Sequence, residues 1–452
     1  MGKLIKKCGL WVLAGALFLC AVIFAFTLTQ ETSEPQPKEK PVILQVWGGV
    51  PADAGPNQVM EAFNEKFKEE NIQAEYCYYP NDESGNKRME TTLLAGGDID
   101  LYFTYTTREL EKRVINNMAL DLTPYIEQSG IDLKEYFGGD VFAYFVNGKA
   151  YSLPTKLDQY GITINKDMFD EAGIPIPTDW TFDEFREIAK KLSHGEGKER
   201  VYGMFFCTQQ DIAYVTTYLA ARSLGGDPLY KAGGLETNFD DPVIHDVVSL
   251  VDNMMNVDHS APTHIDSVTR KLTQESMFLT GKCAMTIGPW IIRSVKDQET
   301  YPHDFTTAFA PYPVASRSES NYAQGGLGDH LSICPSSRYQ DEAWKFLQWY
   351  VTEGMTYMVE GGRVPAYKGF DQQEVTNLLL KNSNGTIDEE TAKSVLIVPK
   401  NNYAIPAITN RLSQISSVMN THFERIFIGE ETVKEGLALA KKEGDAWLKT
   451  SP

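Results

Sequence analysis

The sequence predicts an α/β protein with two lobes. Apolar runs of strand length alternate with amphipathic segments, a pattern typical of an α/β fold with a largely parallel sheet. At 452 residues the chain is too long for one compact core. The stretch Ser276–Trp290, SMFLTGKCAMTIGPW, has the pattern of a helix end, a glycine turn, a buried strand and a second turn. Trp290 is therefore expected at a strand-to-helix junction, the edge where α/β proteins bind ligands.

The remaining elements follow from periodicity and from turn residues. A Thr181 cap with Glu184 three residues later predicts a helix start, and Asn147-Gly148 predicts a hairpin turn. The Gly-rich segment 324–329 is interpreted as a crossing that leads into a short strand. The predicted strands are 42–47, 72–79, 98–103, 161–165, 283–287, 306–313 and 331–333. The predicted helices include 59–67, 89–94, 181–185, 214–224, 243–255, 342–351, 413–428 and 433–448.

The first 41 residues predict a tethered protein. Lys3, Lys6 and Lys7 precede an uncharged apolar run from Gly9 to Leu28, which is long enough for a membrane span. Residues 1–28 are thus expected to be a membrane anchor or signal segment. An alternative is lipid attachment at Cys20, although Leu19 replaces the small residue expected before a lipidated cysteine. Residues 29–41 are polar and contain three prolines, so they are expected to be a flexible tether.

Composition narrows the class of partner. The formal charge is −19, which argues against a nucleic-acid-binding protein, because phosphate contacts require a basic surface. Cys77, Cys207, Cys283 and Cys334 are far apart and lack metal-binding spacing, so they are expected to be small buried residues. The segment 258–266, DHSAPTHID, has two histidines, but its spacing favours a polar loop over a metal site. We expect no metal and no cofactor.

Five segments, taken in order, resemble a known family. They read NGKAYSLP, ITINKDMFDEAGIPIPTDWTFDEF, MFLTGKCAMTIGPW, EAWKFLQWYVTEG and GGRVPAY. Together they are similar to the extracytoplasmic solute-binding proteins of ABC sugar importers, the maltose-binding type, over residues 42–448. The resemblance implies a two-lobed periplasmic-binding-protein fold, type II-like, with a ligand cleft between the lobes. It implies a first lobe of residues 42–154 plus about 326–368, and a second of 155–325 plus about 369–452.

The resemblance also suggests ligand-binding residues. Trp290 matches the aromatic residue that stacks on a sugar ring, and Asp158 matches a carboxylate that binds sugar hydroxyls. Tyr160 lies two residues after Asp158 and would share its face in an extended chain. Arg108, with Tyr105, matches the position of a charged pair, but Thr107 replaces the aspartate of that pair.

Weaker candidates complete the predicted site. Asp329 and Arg363 are chosen for their positions in glycine-rich segments, and Trp47 ends the first strand. The aromatic pair that binds maltodextrins in the family would fall near Ser416 and Ser417. Small residues there indicate a smaller or differently shaped sugar, or a ligand other than a maltodextrin.

The expected function is extracytoplasmic capture of a carbohydrate by a monomer, without catalysis, and delivery to an ABC permease. Hinges near 154–156 and 325–329 would absorb lobe closure. Three alternatives stay open: a glycan-degrading enzyme, a surface carbohydrate-adhesion module, and a binding protein for a non-sugar solute. The sequence has neither a GxSxG nor an HExxH motif, and no P-loop, which disfavours an enzyme.

Overall fold

The structure, a computed structural model, describes residues 40–206, 212–288, 291–317, 322–398, 402–404 and 411–450. Val42–Pro452 form one compact unit. Within the described ranges no helix is both long enough and apolar enough to cross a bilayer. The apolar run 9–28, the tether 29–39, Cys207 and Trp290 lie outside the described residues.

Ten strands lie within the described ranges and are labelled in chain order. They are β1 Val42–Gly48, β2 Ile72–Tyr78, β3 Leu101–Thr104, β4 Leu153–Gln159, β5 Ile162–Asn165, β6 Tyr202–Phe205, β7 Cys283–Ile287, β8 Thr307–Ala310, β9 Tyr322–Ile333 and β10 Asn402–Ala404.

The described α-helices surround these strands. They are Pro56–Lys66, Glu83–Leu94, Thr107–Ile115, Thr123–Ser129, Leu133–Phe137, Lys166–Glu171, Phe182–Leu192, Ile212–Leu224, Pro242–Asp252, His264–Thr269, Ile292–Lys296, Gln340–Trp349, Thr356–Val359, Gln372–Leu380, Glu389–Ala392, Leu412–Phe427 and Val433–Lys449. Shorter 3-10 or π turns span Lys68–Glu70, Gly139–Tyr144, Gly197–Glu199, Asn253–Val257, Glu275–Leu279, Tyr350–Gly354 and Lys393–Ile397.

Two separate sheets divide the strands between the two lobes of an α/β fold. The first sheet has the order β10-β9-β3-β1-β2, with β4 also paired to β9, and the second has the order β6-β7-β5-β8. Both are mixed. In the first sheet β1 runs parallel to β2 and β3, whereas β9 is antiparallel to β3 and β4. In the second sheet β6 runs parallel to β7, whereas β5 is antiparallel to β7 and β8. The expectation of a largely parallel sheet is wrong here, because β9 enters the first sheet from the second lobe and runs antiparallel to β3 and β4, although it is parallel to β10.

Each sheet has its own hydrophobic core. The first core contains Leu44 and Val46 of β1 with Phe346, all fully buried. The second contains Ile162 of β5 and Phe423, also fully buried. Apolar alternation on β1 places one face against its core, as the period-2 pattern of a strand requires. The exact lobe boundaries stay a prediction.

Several local predictions are confirmed. The Thr181 cap and Glu184 form a complete capping box. Strand β7 spans Cys283–Ile287 and is buried throughout. Asn147 and Gly148 both have positive φ and close a tight turn, although only Val146 and Lys149 pair beside it, so the turn does not extend into a long hairpin. Of the cysteines, Cys283 and Cys334 are buried, whereas Cys77 is half-buried.

The glycine-rich segment differs from its interpretation as a crossing before a short strand. It lies inside the continuous twelve-residue strand β9. Gly325 and Gly326 have φ of 144° and 122°, values that L side chains rarely adopt. A Cβ on Gly325 would lie 2.0 Å from the carbonyl oxygen of Asp158. These glycines therefore allow β4 and β9 to pair closely where both strands pass between the lobes.

Candidate functional site

The candidate site lies where three segments that connect the lobes meet. Strand β4 pairs with β9, with Asp158 opposite Gly326 and Lys156 opposite Gly328. A third segment adds to them: the Leu157 N–H donates to the Val364 carbonyl oxygen at 2.8 Å. Strand β4 belongs to the first sheet, and β5 of the second sheet begins three residues after it ends. The segments therefore form the floor between the two lobes.

Four charged side chains on these segments form a chain of alternating sign. Lys156 Nζ lies 2.6 Å from Asp158 Oδ1 and 3.8 Å from Asp329 Oδ1. Arg363 Nε donates to Asp329 Oδ2 at 3.0 Å. The four side chains are 8–19% exposed. We call this set, Asp158, Lys156, Asp329 and Arg363, the hinge network, and its formal charge is zero when all four groups are ionised.

Burial and neighbouring charges act in opposite directions on the hinge network. Burial raises the pKa of Asp158 above its usual value, and the nearby Asp329 carboxylate raises it further against the opposing effect of Lys156. For Asp329, burial also acts to raise the pKa, but Lys156 and Arg363 together bring that pKa below its usual value. Burial acts to lower the pKa of Lys156, and the two carboxylates reverse this effect and raise it. Asp158 is thus the network carboxylate that protonates more readily.

Tyr160 adjoins the hinge network. Its hydroxyl hydrogen-bonds to Asp158 and lowers the pKa of that carboxyl. Its ring stacks on Tyr218 with centroids 5.3 Å apart. An extended backbone places residues i and i+2 on the same side, which explains why Lys156, Asp158 and Tyr160 converge.

Tyr105 lies on the first-lobe side of the same region. Its hydroxyl accepts a hydrogen bond from the Gly49 N–H at 2.6 Å. Burial raises the pKa of Tyr105 well above its usual value. The nearby Arg363 guanidinium acts to lower this pKa, but its effect is smaller. Tyr105 is therefore a neutral, half-buried hydrogen-bonding ring.

The other predicted residues have different surroundings. Trp47 packs against a buried cluster that includes Tyr79, Met89 and Tyr102, and the Arg88 guanidinium lies 5.6 Å from its ring. Arg108 is exposed in the first turn of helix Thr107–Ile115. Trp290, the central residue of the predicted site, lies outside the part of the chain that the structure describes.

Ser416 and Ser417, near which the family resemblance places the maltodextrin-stacking aromatics, lie on helix Leu412–Phe427. Ser416 is buried in that helix and Ser417 is exposed. Neither side chain offers a ring face for stacking.

Lys156 is the network member that sequence reasoning missed. The available signal was its spacing of two residues from Asp158 on a strand, which places both side chains on one face. The pairing of Asp329 with Arg363 had no comparable signal, because the two residues are 34 positions apart on segments that meet only in the fold.

Comparison with known proteins gives a consistent result. The profile of the family described as bacterial extracellular solute-binding protein matches residues 52–357. A binding protein of Brucella abortus is 27% identical over 269 residues, which cover 58% of this chain and 61% of that relative. The match thus spans less than two thirds of the relative.

Solved structures with the same fold are similar over nearly the whole chain. An ABC substrate-binding protein of Listeria monocytogenes, in complex with cycloalternan, gives a TM-score of 0.74 at 19% identity and covers 91% of this chain and 100% of that one. A solute-binding protein of Thermotoga lettingae bound to α-D-tagatose gives 0.71 at 20% identity, covering 90% and 100%. Maltose-bound MalE3 of T. maritima gives 0.69 at 20%, also covering 90% and 100%.

Proposed function

Because the chain belongs to the bacterial extracellular solute-binding proteins, we propose that it binds a carbohydrate between its lobes and delivers it to an ABC permease. The observation that carries the proposal is the hinge network, which places polar groups of both signs on the floor between the lobes. The fold neighbours in complex with cycloalternan, tagatose and maltose support a sugar as the class of ligand.

The hinge network favours an uncharged sugar. Its two cations are already paired with two carboxylates, so an anionic ligand would find no uncompensated positive charge. Sugar hydroxyls can both donate to a carboxylate and accept from an ammonium or guanidinium group. We assign hydroxyl binding to Asp158, with Tyr160, Asp329 and Arg363 beside it.

Aromatic contacts complete the proposed site. Trp290 would stack on the apolar face of a sugar ring, and Tyr105 would form part of the first-lobe wall. Arg108 and Trp47 are proposed as outer contacts that approach the sugar when the lobes close. With serines at 416 and 417, Trp290 provides more of the stacking than its counterpart in maltodextrin-binding relatives.

The proposed cycle involves no covalent chemistry. Solute binding favours the closed arrangement because the closed lobes contact the solute from both sides. The closed monomer then docks on the permease, held at the membrane by residues 1–28 or by a lipid on Cys20. Cell fractionation of wild type and C20S tests the tether: release of C20S from the membrane fraction supports lipidation, and retention supports a protein anchor.

A ligand panel tests the function. Thermal shift of the full chain with cyclic and linear neutral oligosaccharides, neutral monosaccharides, glucuronate and amino acids should show stabilisation by a neutral sugar. Calorimetry then measures the affinity, and chromatography of the same mixtures checks for products. Stabilisation by amino acids alone would indicate a non-sugar solute, and formation of sugar products would indicate an enzyme.

A further inference from the structure

A buried carboxylate connects two helices that belong to different cores. Glu111 lies in helix Thr107–Ile115, whose Leu110 and Val114 pack in the first core. The facing helix, Leu412–Phe427, packs its Ile415 and Met419 in the second core. Glu111 is only 3% exposed although it has no place in either core. It therefore lies at a contact between the two lobes.

The contact is a helix cap supplied by the opposite lobe. The Arg411 N–H donates to Glu111 Oε1 at 3.2 Å, and the Leu412 and Ser413 N–H groups also bond to this carboxylate. Helix Leu412–Phe427 has no side-chain cap of its own, and Arg411 holds a left-handed backbone with φ of 104°. The free N–H groups of a helix start require an acceptor. Separation of the lobes would therefore remove the acceptor from this helix start and expose Glu111 to water.

We propose that Glu111 makes lobe closure proton-linked, because closure buries its carboxyl group against the start of helix Leu412–Phe427. The inference rests on the lobe closure that the proposed function requires. Glu111 touches no proposed ligand group, so it acts as a positioning residue that sets the balance between open and closed forms.

Burial has a larger effect on the pKa of Glu111 than the charged groups around it. On its own helix, Arg108 is exposed, while Lys112 and Arg113 turn to Glu90, with N–O distances of 2.6 and 3.5 Å. From the facing helix, Arg411 acts on Glu111 and also donates to the Thr450 carbonyl oxygen at 3.1 Å. Burial raises the pKa of Glu111 to about 7, against the lowering effect of the three N–H groups and Arg411.

The sign of the pH effect follows from linkage. In the open form the carboxyl has an ordinary pKa of 4.5, and in the closed form a pKa of about 7, so closure takes up protons between these values. The stabilisation of the closed form is complete below pH 4.5, the pKa in the open form. It is lost as the pH rises through about 7, the pKa in the closed form. Between pH 8 and pH 5.5 the ratio of closed to open forms should rise roughly ten- to thirty-fold.

Hydrogen exchange of the full chain without sugar tests the inference. Amides at the start of helix Leu412–Phe427, corrected for intrinsic rates, should gain that ten- to thirty-fold protection on going from pH 8 to pH 5.5. Helix Val433–Lys449 is the internal control, because its capping box of Thr432 and Glu435 is local. Its protection should not follow the same pH dependence.

Two variants separate the proton from the contact. E111Q keeps an acceptor and resembles the protonated acid, so its protection should be high at both pH values. E111A removes the acceptor, so protection should be low at both. If E111Q keeps the wild-type pH dependence, or if the control helix changes in parallel, the inference is wrong.

An interlobe distance provides a readout that needs no variant of Glu111. Spin labels, introduced as unnatural amino acids, replace Leu94 in the first lobe and Val257 in the second, which are 67% and 62% exposed. A shift of the distance distribution with pH supports proton-linked closure, and an unchanged distribution rejects it. Sugar binding without either pH effect would reject only this inference, whereas the pH effects without binding of any sugar would reject only the proposed function.

Discussion

Removal of the Lys156 ammonium tests the hinge network. In K156M, Asp158 loses the ammonium 2.6 Å away, whereas Asp329 keeps its ion pair with Arg363. Loss of one partner from a buried ion pair costs about 3–5 kcal/mol, and the partial exposure of these side chains reduces our expectation to about 2–4 kcal/mol at pH 7.5. Urea unfolding of the full chain, followed by tryptophan fluorescence, measures this difference as a change in midpoint.

The pH dependence of the penalty is the sharper part of this prediction. Without Lys156, the already raised pKa of Asp158 rises further, so the folded variant binds a proton that the unfolded chain does not hold. This proton stabilises the folded variant at low pH. The stabilisation is lost as the pH rises through the pKa of Asp158 in the folded variant. The deficit of K156M should therefore shrink at pH 5.0.

A second substitution and a matched control isolate the charge. D158N in the K156M background should recover part of the lost stability, since it removes the unpaired carboxylate. K149M removes another lysine from an ion pair, Lys149 Nζ to Asp121 Oδ2 at 2.7 Å, but that lysine is on the surface and its loss should change little. A K156M deficit equal to that of K149M, or one that does not vary with pH, would refute the role assigned to the network.

Two further predictions concern the strand pair and the sugar stack. G325A should lower the free energy of unfolding by about 3 kcal/mol or more, because its Cβ would lie 2.0 Å from the Asp158 carbonyl oxygen. G139A, which meets no atom within 4 Å, should change it by at most about 1 kcal/mol; equal effects in urea melts would contradict the close pairing. W290A should weaken binding of the sugar identified in the panel roughly ten- to hundred-fold in calorimetry, with an unchanged Tm. W447A, at a 40% exposed position, should bind normally, and unchanged affinity in W290A would remove Trp290 from the site.

The parts of the site that sequence reasoning reached are local ones. Asp158 and Tyr160 were predicted from a family resemblance, and their shared side follows from the two-residue period of a strand. The same period places Lys156 on that side of the strand, where it pairs with Asp158. The capping box at Thr181 was likewise found from residues three positions apart.

The parts that were missed depend on register between distant segments. The glycine-rich segment 324–329 was interpreted as a crossing because glycine disfavours strands. In the fold those glycines allow the backbones of β4 and β9 to approach each other closely. The strand pairing that results outweighs the low preference of glycine for strands. The direction of each strand also depends on distant segments, because it is set by how the chain returns between the lobes. The sequence therefore did not reveal that the sheets are mixed rather than largely parallel.

By itself, the sequence determined an α/β fold of two lobes and a family of solute-binding proteins. These follow from periodicity, composition and motif order, all of which are local or additive along the chain. The tertiary structure alone decided that Lys156 links Asp158 to Asp329 and that Glu111 caps a helix start 300 residues away. Both depend on the pairing and packing of distant segments, because burial and charge act through space and not along the sequence.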